Sequence, residues 1–526
     1  MKLDIKLVLI LVLALAVRFY MLSSIPFGLH RDEASAGYNA YTILKTGKDE
    51  YGRFLPLVFE AFGDWKRPIN IYLTVPAVAI FGLNVFSVRL PIALTGFITV
   101  VVLYFLAKEL FDKKIAFWTA FILAISPWHI FMSRNGLGWN VVGLFFSILG
   151  FFAFVLSFKK EKLLILSSVF WGVSLFSYAS NQLFTPLYLM VLFLFFFKKI
   201  LKNKYFFVSF LVFGLFLGLF VKVYLPVFKT NSKGSSFINP NFTYTNIEQK
   251  RIQAGNSLRV KLIYNKYTIY STQFVKNYLT AISPSTLFYP QDANAAYSLD
   301  KQGNLYYISL VFIILGVFYL QKKRHKYRFV LYIWTLMAFL PAALTIEPRA
   351  STRSLLSLLP ISLFAGVGIV WGYQLLRSKK LYSYLIGLGY LLSFGYFLYA
   401  YFIDFPVSRA VAYAYGWDQI IKLEEKKKPE RVYTISPDDQ YYVFYLFYHK
   451  IDPVFYWQSV KRGKISWDGF ERVLSFGKYS FVYSFEDIYT KNIMFVSRVD
   501  YNKGMDNGEF IKLPNGKEEY IVLFKE

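Results

Sequence analysis

The sequence predicts an all-α, polytopic membrane protein with about eleven transmembrane helices and a small α/β domain at its C-terminal end. Of its 526 residues, 56% are hydrophobic and 21% aromatic, more apolar side chain than a soluble chain of this length has to bury. The apolar residues fall in blocks of about 17 to 23 with few charges, the length an α-helix needs to cross a hydrocarbon core roughly 30 Å thick. A transmembrane β-barrel would alternate instead. From about residue 404 the hydropathy falls and turn signals return.

The expected spans lie near 5–22, 88–107, 115–131, 140–158, 163–178, 184–198, 205–227, 304–320, 328–345, 354–376 and 381–403. The first has the basic start and apolar stretch of a signal peptide, but no small-residue cleavage pattern follows, so it is read as retained. Lys and Arg in short loops mark the cytoplasmic side. Loops with Lys108/Lys113/Lys114, Lys159/Lys160/Lys162, Lys198/Lys199/Lys202/Lys204, residues 322–328 and Arg377/Lys379/Lys380 all fall on one side of an eleven-span chain. The N-terminus is then cytoplasmic, in a cell (plasma) membrane. Residues 23–87, residues 228–303 and the domain 404–526 lie outside.

Within the first outer loop, residues 33–46 have helical spacing and stop at Gly47, a C-terminal cap. Residues 69–81 are apolar but too short to span, and read as a helix lying in the interface. Residues 228–303, rich in Asn, Ser and Thr over 231–246, read as a long loop. In the last domain, 431–436, 480–485, 493–496 and 520–524 have strand character and 439–448 suits a helix.

Charge and cysteine content narrow the function. Residues 1–403 hold 41 Lys+Arg against 14 Asp+Glu, whereas 404–526 hold 18 of each. The basic excess belongs to the membrane part, so nucleic acid is not an expected partner. There is no cysteine, which excludes disulfides and Cys-based metal sites. His30 and His129 are too far apart in sequence to suggest a protein-built metal site, and no cofactor is expected; a divalent ion stays an open question.

Nearly all acidic residues of the membrane part fall on the outer side, which directs attention there. Asp32-Glu33 begins about ten residues after the first span, near the interface. A carboxylate in such a partly dehydrated place has a raised pKa and suits a general base. Equally, Asp32 suits the N-cap of the helix that follows. Lys66, Arg67, Arg89, Arg134, Arg349 and Arg353 gather on the same side, where a lipid phosphate would need cations and Arg offers a bidentate fork. The competing reading is snorkelling of span-end basic residues, which fits Arg89 and Arg349 best. Lys66-Arg67 differs, standing before an interfacial helix with Asp64 beside it and Pro68 at the first turn. Trp128 and Trp139 read as interface anchors.

These residues also carry a resemblance. Arg31-Asp32-Glu33-Ala34, Tyr38-Asn39-Ala40-Tyr41, Phe54-Leu55-Pro56, Trp65-Lys66-Arg67-Pro68 and Phe81-Gly82-Leu83-Asn84 through Ser87-Val88-Arg89-Leu90-Pro91 resemble the first outer loop of glycosyltransferase family 39. That family includes the protein O-mannosyltransferases and the lipid A aminoarabinose transferases, all of the GT-C fold. Ser126-Pro127-Trp128, Ser133-Arg134, Ser283-Pro284-Ser285-Thr286-Leu287-Phe288, Pro341-Ala342-Ala343 and Arg353-Ser354-Leu355 resemble later blocks of bacterial members. The resemblance implies a GT-C transmembrane catalytic domain over 1–403. It implies Asp32 as catalytic base, Glu33 as its partner and Lys66 as donor-phosphate ligand, and the later blocks place Arg134 and Arg353 as phosphate or acceptor contacts; Arg67 joins the donor-phosphate ligands on its chemistry alone. Family members usually carry Lys-Pro-Pro where this chain has Lys66-Arg67-Pro68, and an acidic residue directly before the lysine where this chain has Trp65, so Asp64 is a possible supporting residue only.

The expected activity is transfer of a hexose or pentose from a polyprenyl-phosphate carrier to an acceptor outside the cytoplasm, a protein, a lipid or a cell-envelope polymer, with inversion. The alternatives are a flippase or transporter of lipid-linked sugars, or a glycan polymerase or ligase. A transporter would show ionisable groups or broken helices near the midplane and internal repeats, which the sequence does not display clearly.

Overall fold

The computed structural model describes residues 5–235, 240–255, 257–290, 292, 294–435, 440–464, 471–483, 492–501 and 508–525. Every apolar segment marked as a span forms helix. Helix α1 is Ile5–Phe19, α2 is Arg31–Thr46, α3 is Pro68–Phe81 and α4 is Val85–Leu110. Lys113–Ile125 (α5) and Pro127–Arg134 (α6) form one segment bent by 53°. The break falls at Ser126-Pro127, where proline lacks the N–H and crowds the preceding turn.

Among the described residues, six helices are long and apolar enough to cross a membrane: Val85–Leu110, Trp139–Ser157, Ala179–Leu201, Phe206–Val227, Ser351–Leu375 and Lys379–Ser408. The bent pair makes up to seven. Pro68–Phe81, Leu163–Leu175, Tyr307–Lys322 and Arg328–Ala343 are apolar but shorter. The count of about eleven is therefore not reached by full-length helices, because several apolar blocks give helix over only part of their length.

The long-loop expectation for 228–303 is corrected. The helix Phe206–Ser235 continues into it, followed by Pro240–Gln253, Leu258–Ile263, Lys266–Ile282 and Pro284–Phe288. Polar residues further along this stretch serve as helix caps. Ser257 accepts from Val260 N, Asn265 forms a capping box with Thr268, and Ser283 accepts from Thr286 N. Residues 236–239 lie outside the described residues.

Contacts divide the chain into two units, one of residues 1–15, 96–132 and 140–397 and one of residues 16–95, 133–139 and 398–526. The first is helical. In the second, a hairpin of Phe59–Ala61 (β1) and Asp64–Lys66 (β2) joins α2 and α3. The last part of the chain forms a sheet of Arg431–Ile435 (β3), Lys461–Arg462 (β4), Val473–Phe476 (β5), Tyr479–Val482 (β6), Ile493–Arg498 (β7), Glu509–Lys512 (β8) and Glu518–Lys525 (β9). Its order is β4-β5-β6-β3-β7-β9-β8, with β3 parallel to β6 and β7 and the other pairs antiparallel. Four of these strands lie where the sequence placed strands, and Tyr442–Tyr448 is the expected helix. Residues 436, 439 and 484–485 of those expectations lie outside the described residues.

Candidate active site

The start of α2 is built by its own side chains. His30 is the N-cap: its Nδ1 accepts from Asp32 N at 3.1 Å, while Glu33 Oε2 accepts from His30 N at 2.9 Å. This capping box corrects the reading of Asp32 as the cap. Its carboxylate sits in the first turn, free for other partners. Gly47 closes the helix in the left-handed region at φ 72°, as the sequence suggested.

Glu33 is fully buried and anchors this turn. Arg89, also fully buried, donates to it from Nε at 2.9 Å and from Nη2 at 3.1 Å. The rest of the guanidinium donates to the carbonyls of Leu22, Pro26 and Gly28 at 3.2, 3.0 and 2.8 Å. Arg89 is therefore not a snorkelling residue; its fork matches a carboxylate and three carbonyls that converge on it. Glu33 Oε1 also accepts from Gly136 N at 2.6 Å. Burial pushes the Glu33 carboxyl up, but Arg89 and the N–H groups of His30 and Gly136 bring it below the usual carboxylate range.

Lys66 arrives from the hairpin. Phe62 and Gly63 both have positive φ, 61° and 77°, the conformation of a two-residue turn matched to strand twist. Phe59 pairs with Lys66 and Ala61 with Asp64. Asp64 and Lys66, two apart on a strand, share a face. Lys66 Nζ lies 3.1 Å from Asp64 Oδ2 and 3.2 Å from Asp32 Oδ1. It also sits 5.9 Å from the centre of the Trp139 ring. Trp139 is buried rather than an interface anchor, and its Nε1 donates to Gly136 O at 2.7 Å. Trp128, at 2% exposure, is buried too.

The expectation of a raised Asp32 pKa is reversed. Burial pushes it up, but Lys66, then His30 and Arg31, hold it well below the usual carboxylate range. Lys66 is pushed down by burial and raised further by Asp32 and Asp64, ending above the usual ammonium value. His30 is lowered by burial ahead of any carboxylate effect. Because its Nδ1 accepts from Asp32 N, the ring is neutral, and its 3.7 Å approach to Asp32 Oδ2 is not an ion pair. The site thus holds one carboxylate and one ammonium, mutually neutralised, with Asp64 as a second counter-charge.

The remaining predicted residues divide. Arg67 stands at the N-cap position of α3, with Pro68 at its first turn as expected, and donates to Trp65 O at 3.0 Å. Arg134 is fully buried, donates to the carbonyls of Val17 and Tyr20 at 2.7 Å each, and lies over the Phe402 and Tyr401 rings at 4.8 and 5.2 Å. It ties chain segments together, which corrects its assignment as a phosphate contact. Arg353 belongs to the other unit, where it donates to Thr345 Oγ1 at 2.8 Å and lies 3.6 Å from Glu347 Oε2.

One cluster escaped the sequence reading. Glu50, fully buried, accepts from Tyr442 and Tyr456 hydroxyls at 2.8 and 3.3 Å and lies 3.5 Å from Arg462 Nη2. Arg462 bonds Glu471 at 3.0 Å and stacks 3.8 Å from the Tyr51 ring centre. Glu471 N donates to Phe62 O at 3.0 Å, in the turn that carries Lys66. The C-terminal sheet domain therefore grips the hairpin. Burial pushes the Glu50 carboxyl up despite Arg462. Partners about 400 residues apart left no local signal.

Residues 66–223 match the family model described as Dolichyl-phosphate-mannose-protein mannosyltransferase. A provisionally named mannosyltransferase of Bacillus subtilis (strain 168), YkcB, is 29% identical over 178 residues, 33% of this chain and 23% of that protein. The match thus spans under a quarter of that relative's length. ArnT from Cupriavidus metallidurans, solved with undecaprenyl phosphate, is similar with a TM-score of 0.54 over 98% of this chain and 97% of its own, at 14% identity. The Archaeoglobus fulgidus oligosaccharyltransferase, solved with zinc and sulfate, gives 0.50 over 84% of this chain and 61% of its own, at 16% identity. The chain has the GT-C fold of these proteins, its resemblance to glycosyltransferase family 39 is borne out, and it is a multi-pass membrane protein.

Proposed function

We propose that the chain transfers a sugar from a polyprenyl-phosphate carrier to an acceptor on the outer side of the plasma membrane. The observation that carries this is the meeting of Asp32 and Lys66, 3.2 Å apart, from the start of a helix and the end of a hairpin. The matched family model, whose description names a dolichyl-phosphate-mannose donor, and the undecaprenyl phosphate of the ArnT structure supply the donor class. The Lys- and Arg-rich short loops support an N-terminus on the cytoplasmic side, and the contacts of the C-terminal domain with the first outer loop support placing both on the opposite side.

In this reading the donor phosphate takes Lys66 as its cation. Asp64 stays beside the ammonium, and Asp32 loses the partner that depresses its pKa. Its basicity rises as the donor seats. Asp32 then accepts the proton of an acceptor hydroxyl or amine, the acceptor atom bonds the anomeric carbon from the face opposite the phosphate, and the sugar–phosphate C–O bond breaks. Polyprenyl phosphate leaves with the bonding pair, held by Lys66, and the anomeric centre is inverted. General-base help of this kind is worth about 10²–10⁴-fold. A phosphate leaving group needs cationic stabilisation more than a proton. Glu33, locked to Arg89, holds the turn on which Asp32 stands and is a positioning residue.

The test is transfer by the protein in liposomes supplied with a radiolabelled polyprenyl-phosphate mannose and membrane extract as acceptor. Wild type should release polyprenyl phosphate and label an acceptor, and Asp32→Asn should do both at least about 100-fold more slowly. Labelling by Asp32→Asn at the wild-type rate removes the base, and movement of intact donor across the bilayer without cleavage favours the flippase.

A further inference from the structure

Between the span Phe206–Val227 and the apolar helix Tyr307–Lys322, residues 249–291 carry six basic side chains and no acidic one. The cations are Lys250, Arg251, Arg259, Lys261, Lys266 and Lys276, and all but Arg251 are exposed. Arg251 braces the stretch. Its Nε donates to Tyr264 O at 2.8 Å, tying Pro240–Gln253 to the turn between Leu258–Ile263 and Lys266–Ile282.

The helix Lys266–Ile282 is docked through one face, on which Asn277 and Ala281 are buried. Asn277 Nδ2 donates to Ala343 O at 3.2 Å and Thr345 O at 2.8 Å, and the Tyr278 hydroxyl donates to Leu336 O at 3.0 Å. Ala281 packs with Phe339 and Ala342. These partners form the end of the apolar helix Arg328–Ala343, so the docked helix sits where membrane-type helix gives way to polar chain. Away from that face, Tyr267, Val275 and Leu279 fall in one row at multiples of four residues, and are 71%, 52% and 58% exposed. Just upstream, Leu258 and Leu262 stand one turn apart at 79% and 71% exposure. Cations and bare apolar side chains therefore interleave along the same two helices.

We propose that residues 250–279 lie along the bilayer as an arm that binds anionic phospholipid headgroups. The Leu258/Leu262 and Tyr267/Val275/Leu279 rows enter the acyl boundary, and Arg259, Lys261 and Lys266 meet the phosphates. A water-facing surface rarely leaves such rows bare, whereas beside a membrane helix the acyl chains cover them. A neutral leaflet would cover the rows but leave the cations without counter-charge. Clusters of about four to eight Lys and Arg on an amphipathic helix match a leaflet of negative surface potential. A second copy offering the same face would bring like charges together, which disfavours it as the occupant. The proposal concerns the membrane alone and stands whether or not the transferase reading holds.

The chain has no cysteine, so Leu262→Cys gives the full-length protein a single site for a pyrene label. The labelled protein is placed in nanodiscs of phosphatidylcholine with and without phosphatidylglycerol, each holding the same trace of nitroxide-labelled phosphatidylcholine as quencher. Quenching at least about fivefold stronger with phosphatidylglycerol is expected, the partition gain from one cation near an anionic surface. It should decline with added salt. Arg259→Gln, Lys261→Gln and Lys266→Gln together, all exposed positions that tolerate glutamine in a helix, should bring the two compositions level. Equal quenching in both compositions, or a phosphatidylglycerol effect that the triple variant keeps, overturns the proposal. Pyrene excimer emission in discs holding two copies, without lipid quenching, assigns the face to a second copy and overturns it as well.

Discussion

Asp32 and Lys66 stand 34 positions apart in the chain yet share an ion pair of 3.2 Å, because a capping box frees the aspartate and a two-residue turn delivers the lysine. Each member sets the other's charge state, and the consequences are measurable.

Asp32→Asn should lower kcat by about 100-fold to 10,000-fold, the range of a general base. His30 and Glu33 form the cap without the Asp32 carboxylate, so the variant should remain folded, its melting temperature lowered only by the lost ion pair to Lys66, which keeps Asp64 as a partner. Turnover and thermal denaturation of the same preparation check this, and unaltered turnover sinks the role.

Lys66→Met should change the pH behaviour of Asp32. In wild type the folded carboxyl lies below its unfolded value of about 3.9, so its stabilising contribution is present above that pH. The contribution is lost as pH falls through the depressed folded value. Without Lys66 the depression shrinks and burial dominates, so acid unfolding and the acidic limb of kcat/KM should both move to higher pH. A pH profile identical to wild type would show that Lys66 does not set the Asp32 charge.

Glu33→Gln should be far more damaging to folding than its size suggests, because it strands a fully buried Arg89 cation. Breaking such a pair costs about 3–5 kcal/mol. Adding Arg89→Met should recover much of the lost stability, although it leaves the three carbonyls without their donor. Denaturation midpoints of the single and double variants decide the matter, and a double variant no more stable than the single contradicts it.

Gly136→Ala probes the same anchor by steric means. The new Cβ would stand 2.9 Å from Glu33 Cγ and 3.0 Å from Val88 Cγ1, too near for both to stay. Overpacking of this kind costs about 1–3 kcal/mol. Because Gly136 O also fixes the Trp139 ring beside Lys66, donor KM should rise as well. An unchanged KM would detach this segment from the site.

Tyr442→Phe removes a hydroxyl that bonds the buried Glu50 and should cost about 1–3 kcal/mol. It also loosens the grip of the C-terminal domain on the hairpin that carries Lys66. The expected signature is a larger rise in donor KM than fall in kcat. Equal losses in both would make the domain a general stabiliser only.

Much of this molecule was legible because helices and strands announce themselves locally. The apolar blocks, the stop at Gly47, the Pro68 start of α3 and four strands of the sheet each rest on a few adjacent residues. The resemblance singled out Asp32 and Lys66, and they meet. Less legible were features whose partners lie far off. Arg89 looked like a span-end cation, since nothing near it reveals Glu33 or the carbonyls of Leu22, Pro26 and Gly28. Arg134 looked like a phosphate contact for the same reason. The hairpin was missed because Phe62-Gly63 lacks the Asn-Gly or Asp-Gly pair that usually marks such a turn.

By itself, the sequence determined the membrane-spanning character, the helical and strand periods, and which residue types stand between the first two apolar blocks, because hydropathy and backbone preference act within a few residues. The tertiary structure decided which charges neutralise which. A carboxylate's strength depends on burial and on cations within a few ångströms, and that neighbourhood is set only when distant segments pack. Hence Asp32 became a depressed carboxyl rather than a raised one, Arg89 an anchor and Arg134 a tether.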